Sequence, residues 1–139
     1  MSDAGTRLVG RASAKLAAAR YAVNIRAGHH DLIADESVPA GGADAGPSPF
    51  TLVLAGLGAC TAITLRMYAE RKTWTLTNLA VDLEYFRDGK DFRIERVLRI
   101  EGPLDTEQRA RLADIAERTP VTLALKAGTT INTRLASDG

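Results

Sequence analysis

The sequence predicts an α+β fold: antiparallel hairpins around one long, buried central helix, with a second, amphipathic helix on the outside. Three observations predict it. Residues 52–63 carry no charge on any side, so a helix there has no face to leave in water. Two segments alternate apolar and polar residues with period two and turn back on themselves. No β-α-β rhythm of the parallel α/β type is apparent. At 139 residues the chain has the size of one domain, and residues 1–139 are expected to form a single one.

Residues 11–36 read as short strands. Tyr21, Val23 and Ile25 alternate with Ala22, Asn24 and Arg26, and Ala27-Gly28-His29-His30 turns the chain back into residues 31–35 as a hairpin. His29 and His30 are the only histidines. Neighbours in extended chain point to opposite sides, so they are read as turn residues and no metal site or cofactor is expected. Residues 37–47 form a loop rich in Gly, Pro and Ala, either a functional loop at the helix entrance or a plain connector.

The central helix starts near residue 49. The Ser48 hydroxyl can accept from the first free N–H groups, and proline at the first helical position gives up an N–H that had no partner. The apolar run is shorter than the roughly 20 residues a bilayer requires, so a core helix is expected and no membrane. Its small residues Ala55, Gly56, Gly58, Ala59 and Ala62 suit close packing, since a helical glycine costs about 1 kcal/mol against alanine and needs a reason.

Beyond Lys72, Trp74 covers the helix end, and Leu79, Val81, Leu83 and Tyr85 alternate with polar or small residues as a strand. An Asp88-Gly89 turn leads to a return strand with Phe92, Ile94, Leu98 and Ile100 on one face. Arg96 falls on that apolar face, either as a buried guanidinium or, more simply, at a bulge or exposed edge. Asp105 and Gln108 have capping-box spacing and open an amphipathic helix through about Arg118, which Pro120 ends. A short helical turn over residues 121–126 stops at Gly128, and residues 129–135 read as a closing strand with Ile131, Thr133 and Leu135 on one side.

Net charge is +1, with 18 basic and 17 acidic residues, which provides no field for nucleic acid or anionic membranes. Residues 1–20 lack the continuous apolar core of a signal peptide, and the single cysteine excludes an intrachain disulfide, so a cytoplasmic location is expected. That cysteine, Cys60, has two readings. Lone cysteines commonly behave as small buried hydrophobes, whereas a reactive one needs electropositive, accessible surroundings. Cys60 lies about three turns past its own helix N-terminus, beyond reach of that dipole, so any activation must come from elsewhere.

The strings Gly46-Pro47-Ser48-Pro49, Leu52-Val53-Leu54-Ala55-Gly56-Leu57-Gly58-Ala59-Cys60-Thr61 and Arg66-Met67-Tyr68-Ala69-Glu70-Arg71-Lys72 together resemble the central helix of the OsmC/Ohr family. These are osmotically inducible and organic hydroperoxide resistance proteins. The resemblance continues in Arg93-Ile94-Glu95-Arg96, Glu101-Gly102-Pro103-Leu104 and Ala116-Glu117-Arg118-Thr119-Pro120-Val121, covers residues 21–135, and is nearer the OsmC-like branch than the dedicated Ohr enzymes.

The resemblance implies an intertwined homodimer with thiol sites near the subunit boundary. It implies that Cys60 is the peroxidatic thiol, and that an arginine of the N-terminal strands stabilises it. Arg26 is the first candidate and Arg20 the second. Where the family carries its resolving cysteine this chain has Thr119, and where active members carry a helix-start glutamate it has Phe50. The expected activity is reduction of organic hydroperoxides through one cysteine, with an external thiol as reductant. The alternative is a non-catalytic stress-associated protein of the same fold that holds a small apolar ligand beside a core cysteine.

Overall fold

The structure, a computed structural model of the chain, describes residues 5–137. The chain divides into two compact units, residues 1–53 and 54–139.

In the first unit, β1 (Ala12–Leu16), β2 (Val23–Ala27) and β3 (His30–Ala34) form an antiparallel sheet in the order β1-β2-β3. Ala27 pairs with His30, which leaves Gly28 and His29 as the turn, with Gly28 at φ 61°. Because His29 sits in that turn and not in the strand, its ring lies against that of His30, centroids 4.0 Å apart, and the two do not point to opposite sides as extended neighbours would. Among the described residues no third potential ligand joins them.

The loop that follows holds a short 3₁₀ turn, Val38–Ala40, and is folded around Asp35. This side chain is buried. Its Oδ1 accepts from the Glu36 N–H at 2.7 Å and its Oδ2 from the Ala43 and Ala45 N–H groups, each at 3.1 Å. Those backbone donors, Ala45 foremost, hold its carboxyl below the ordinary carboxylate value. At Gly46 a side chain would run into the Ile33 carbonyl, which explains glycine there.

Helix α1 (Pro49–Arg71) begins at the expected serine, whose Oγ accepts from the Thr51 N–H at 3.4 Å. In the second unit, β4 (Asn78–Asp88) and β5 (Asp91–Glu101) pair antiparallel in unbroken register from Asn78↔Glu101 to Asp88↔Asp91. Gly89 and Lys90 make the turn, one residue later than the Asp-Gly signal suggested. Asp105 and Gln108 form the predicted capping box of α2 (Thr106–Ala116), which ends two residues short of the expected Arg118. Thr119 caps α3 (Pro120–Ala127), which closes at Gly128. The core gathers Leu65 and Ala69 of α1 with Leu76, Leu104, Leu112 and Ala116, and Trp74 packs on it edge-on to Tyr68.

The α+β architecture is as predicted, with two corrections. Helix α1 is not buried on every side. Its buried residues are the stripe Leu57, Thr61, Leu65 and Ala69, spaced four apart, while Ile63 and Met67 are each 55% exposed. Among the described residues nothing outside the helix lies within 4 Å of where a Gly56 side chain would start, whereas one at Gly58 would press on Leu83 of β4, so of these two glycines close packing explains Gly58. At 23 residues α1 is also long and apolar enough to reach across a bilayer by length and composition, so its length does not assign it to a core. The packing of Leu65 and Ala69 does. The second correction is that residues 129–135 form no strand: the alternation is present, but among the described residues there is no ladder partner, and Ile131 and Leu135 are exposed.

Candidate functional site around Cys60

The half-buried Cys60 meets a backbone donor on a different helix from its own. The Val121 N–H donates to Sγ at 3.5 Å, and Thr64 Oγ1 lies 4.0 Å from the same sulfur. Val121 is the second residue of α3, so the sulfur sits at that helix's N-terminus, where free N–H groups favour negative charge.

One residue along each helix lies a buried polar network centred on Arg96 of β5, whose side chain is 11% exposed. Its Nη1 donates to Thr61 Oγ1 at 3.0 Å and to Thr122 Oγ1 at 2.9 Å. Its Nη2 donates to the Ala116 carbonyl at 2.9 Å and to Glu117 Oε2 at 3.3 Å. The Ala116 carbonyl is one of those a helix C-terminus leaves free, so the guanidinium also caps α2. Arg96 therefore occupies no bulge, since the register runs unbroken through Leu83↔Arg96, and although β5 is an edge of a two-stranded sheet the side chain is only 11% exposed. It is the buried guanidinium that its inward register implied, tolerated because its donors are matched by four acceptors. Glu117 is held in turn by Lys126 Nζ at 2.7 Å, and Lys126 first, with Arg96 behind it, keeps that carboxyl below its ordinary value.

Thr119, which the resemblance aligns with a resolving cysteine, is fully buried. Its Oγ1 accepts from the Thr122 N–H at 3.3 Å and lies 2.6 Å from Thr122 Oγ1. The hydroxyl thus serves as the α3 cap. The other expected residues belong to the first unit. Arg26 stands on the exposed side of β2 and donates to its cross-strand partner Asp31 at 3.0 Å, with side chains 57% and 79% exposed. Such an exposed pair is worth about 0–1 kcal/mol. Arg20 stacks on Tyr21, 4.6 Å from the ring centroid. Phe50 is 52% exposed in the first turn of α1. Asp35, the nearest carboxylate in sequence with the burial of a site residue, is committed to three backbone N–H groups.

Beside the network opens a cleft of about 470 Å³, walled by Leu57, Tyr85, Phe92, Ile94, Arg96 and Leu125 among others. Leu57 lies one turn before Cys60 on α1, and Thr122, which follows Val121, also lines the cleft. The sequence marked Arg96 as an anomaly but did not reveal Thr61, Thr122 or Glu117, whose contacts to it span 35, 26 and 21 residues.

A family model described as OsmC-like protein matches residues 41–134, which takes in Cys60, Arg96 and α3. The chain belongs to the OsmC-like family. Solved structures share the fold. The OsmC-like protein from Mycoplasma pneumoniae is 18% identical with a TM-score of 0.76, over 87% of this chain and 89% of that one. The organic hydroperoxide resistance protein OhrB of Bacillus subtilis is 23% identical with a TM-score of 0.61, over 86% and 91%. An organic hydroperoxide resistance protein from Elizabethkingia anophelis, with crystallant-derived thiocyanate bound, is 17% identical with a TM-score of 0.65, over 87% and 90%. At these identities the likeness establishes the OsmC fold. No curated protein matches the chain.

Proposed function

We propose that this OsmC-like chain, acting as a single domain, reduces organic hydroperoxides through Cys60 and an external thiol. The observation that carries the proposal is the Val121 N–H aimed at Sγ from the start of α3, near a cleft whose walls mix Leu57, Tyr85, Phe92, Ile94 and Leu125 with Arg93, Arg96, Glu117, Thr122 and Lys126. Attack of the Cys60 thiolate on the outer peroxide oxygen forms an S–O bond as the O–O bond breaks. The alkoxide leaves and takes a proton as the alcohol, and Cys60 becomes a sulfenic acid. One external thiol then displaces water to give a mixed disulfide, and a second releases Cys60 with formation of the external disulfide. No other cysteine exists to take over either step.

The exposed apolar side of α1, with Ile63 and Met67, supports a homodimer in which a second copy covers it. One observation favours the second reading, a non-catalytic protein that binds a small ligand: a cleft of about 470 Å³ opens near Cys60, while the chain has Thr119 and Phe50 where the resemblance expects a resolving cysteine and a glutamate.

Consumption of tert-butyl hydroperoxide with dithiothreitol separates the two. The wild type should turn over, Cys60→Ser should be inactive, and hydrogen peroxide should react more slowly by the equivalent of about 1–3 kcal/mol of lost apolar contact. Equal rates for wild type and Cys60→Ser would leave only the binding reading.

A further inference from the structure

The first turn of α3 leaves one backbone donor for Cys60. Pro120 has no N–H, the Thr122 N–H is taken by Thr119 Oγ1 at 3.3 Å, and the Leu123 N–H by the Thr119 carbonyl at 2.9 Å. The remaining N–H, that of Val121, goes to Sγ. A helix of eight residues does not hold its own place, so the aim of that N–H depends on side-chain anchors.

The anchor is Arg96. Its Nη1 bridges Thr61, the residue after Cys60 on α1, and Thr122, the residue after Val121 on α3. The direction of both bonds is fixed by the guanidinium, which carries donors only, and the threonine hydroxyls have other acceptors for their own protons. Thr61 Oγ1 sends its own proton to the Leu57 carbonyl at 2.7 Å, and Thr122 Oγ1 can send its proton to the Ala116 carbonyl at 3.3 Å, so each accepts from the guanidinium. Nη2, on the Ala116 carbonyl and Glu117, sets the plane of the fork. A lysine ammonium, a point donor on a flexible stem, does not reproduce such a fork.

We infer that Arg96 is a positioning residue for Cys60: by clamping Thr61 to Thr122 it keeps the start of α3 against α1 and the Val121 N–H on the sulfur. The kinetic consequence rests on the proposal that Cys60 is the reactive thiol, while the geometry can be tested without it.

The test uses ¹⁵N-labelled full-length wild type, Arg96→Lys and Thr122→Val. The last variant removes the hydroxyl that ties α3 to the guanidinium, together with its contacts to Thr119 Oγ1 at 2.6 Å and the Ala116 carbonyl at 3.3 Å, while the Thr119 cap on the Thr122 N–H can persist, and it decides the matter if Arg96→Lys does not fold. In the wild type, alkylation of Cys60 with iodoacetamide should move the Val121 amide resonance. In each folded variant the Val121 amide should exchange its proton about tenfold faster, as expected for one lost hydrogen bond. Oxidation of Cys60 by tert-butyl hydroperoxide should slow by about 10- to 100-fold, the scale of a misplaced group near a reacting atom.

If the variants melt earlier but keep wild-type Val121 exchange and oxidation rates well below their Tm, Arg96 is a fold-stabilising residue only and the inference is overturned. If the wild type forms no sulfenic acid, the peroxidase proposal falls, and the Val121 exchange comparison still decides whether Arg96 positions the amide.

Discussion

Thr119→Cys tests the expectation that Thr119 stands at the resolving position, and two opposing effects follow from the structure. In the reduced protein the substitution removes the α3 cap, since sulfur is a weak acceptor for the Thr122 N–H now held at 3.3 Å. Loss of such a cap costs about 1 kcal/mol. Upon oxidation, a disulfide between Cys60 and the new thiol closes a loop of about 60 residues, which stabilises by roughly 4 kcal/mol in the chain-entropy model. The reduced variant should therefore unfold at lower urea than wild type and the oxidised variant at higher. One equivalent of alkyl hydroperoxide should lower the intact mass by about 2 Da within one subunit, the two hydrogens lost in dithiol oxidation. The proximity behind this expectation is the 3.5 Å contact between Cys60 Sγ and the N–H two residues beyond Thr119. A product containing only sulfinic acid or intersubunit dimers would show that Thr119 does not occupy the resolving position.

Three further outcomes are expected. The wild type should sediment as a dimer at micromolar concentration and Ile63→Glu as a monomer, because the exposed side of α1 would then present a charge to its partner; a monomeric wild type refutes the dimer. Acid should destabilise the fold through Asp35 and Glu117, whose folded values lie below their ordinary 3.8 and 4.5. Their stabilisation is complete above about pH 4.5 and is lost as pH falls through the lowered values, so urea midpoints unchanged between pH 5 and pH 2 would contradict it. Excess hydroperoxide without added thiol should add about 32 Da, two oxygens, at Cys60 and stop turnover, since no second cysteine intercepts the sulfenic acid; a stable, fully reactivatable enzyme would refute this.

Much of the fold was legible because its signals are local. Ser48-Pro49, the Asp105 and Gln108 pair, and Gly128 each mark a helix end within a few residues and fall where the structure has them, whereas Pro120, read as the stop of α2, is the first residue of α3 while α2 ends at Ala116. What needed a partner was not legible. The alternation of Ile131, Thr133 and Leu135 was a sound strand pattern, but a strand also requires an edge to pair with. The uncharged stretch of α1 recorded apolar character and not what covers it.

The site divides the same way. Cys60 was visible, and so was Arg96 as a charge in an apolar row. The donor that reaches the sulfur comes from 61 residues away, on a helix whose approach no spacing rule foretells. Arg26 looked suitable from its register alone, and its cross-strand pairing with Asp31 emerges only with the hairpin alignment.

The central claim is that Cys60 reacts with a hydroperoxide. Intact-mass analysis after one equivalent of tert-butyl hydroperoxide, with dimedone present to trap sulfenic acid, tests it most directly. The account predicts a single dimedone adduct on Cys60, absent from Cys60→Ser. An unmodified protein whose Cys60 still alkylates with iodoacetamide would contradict it.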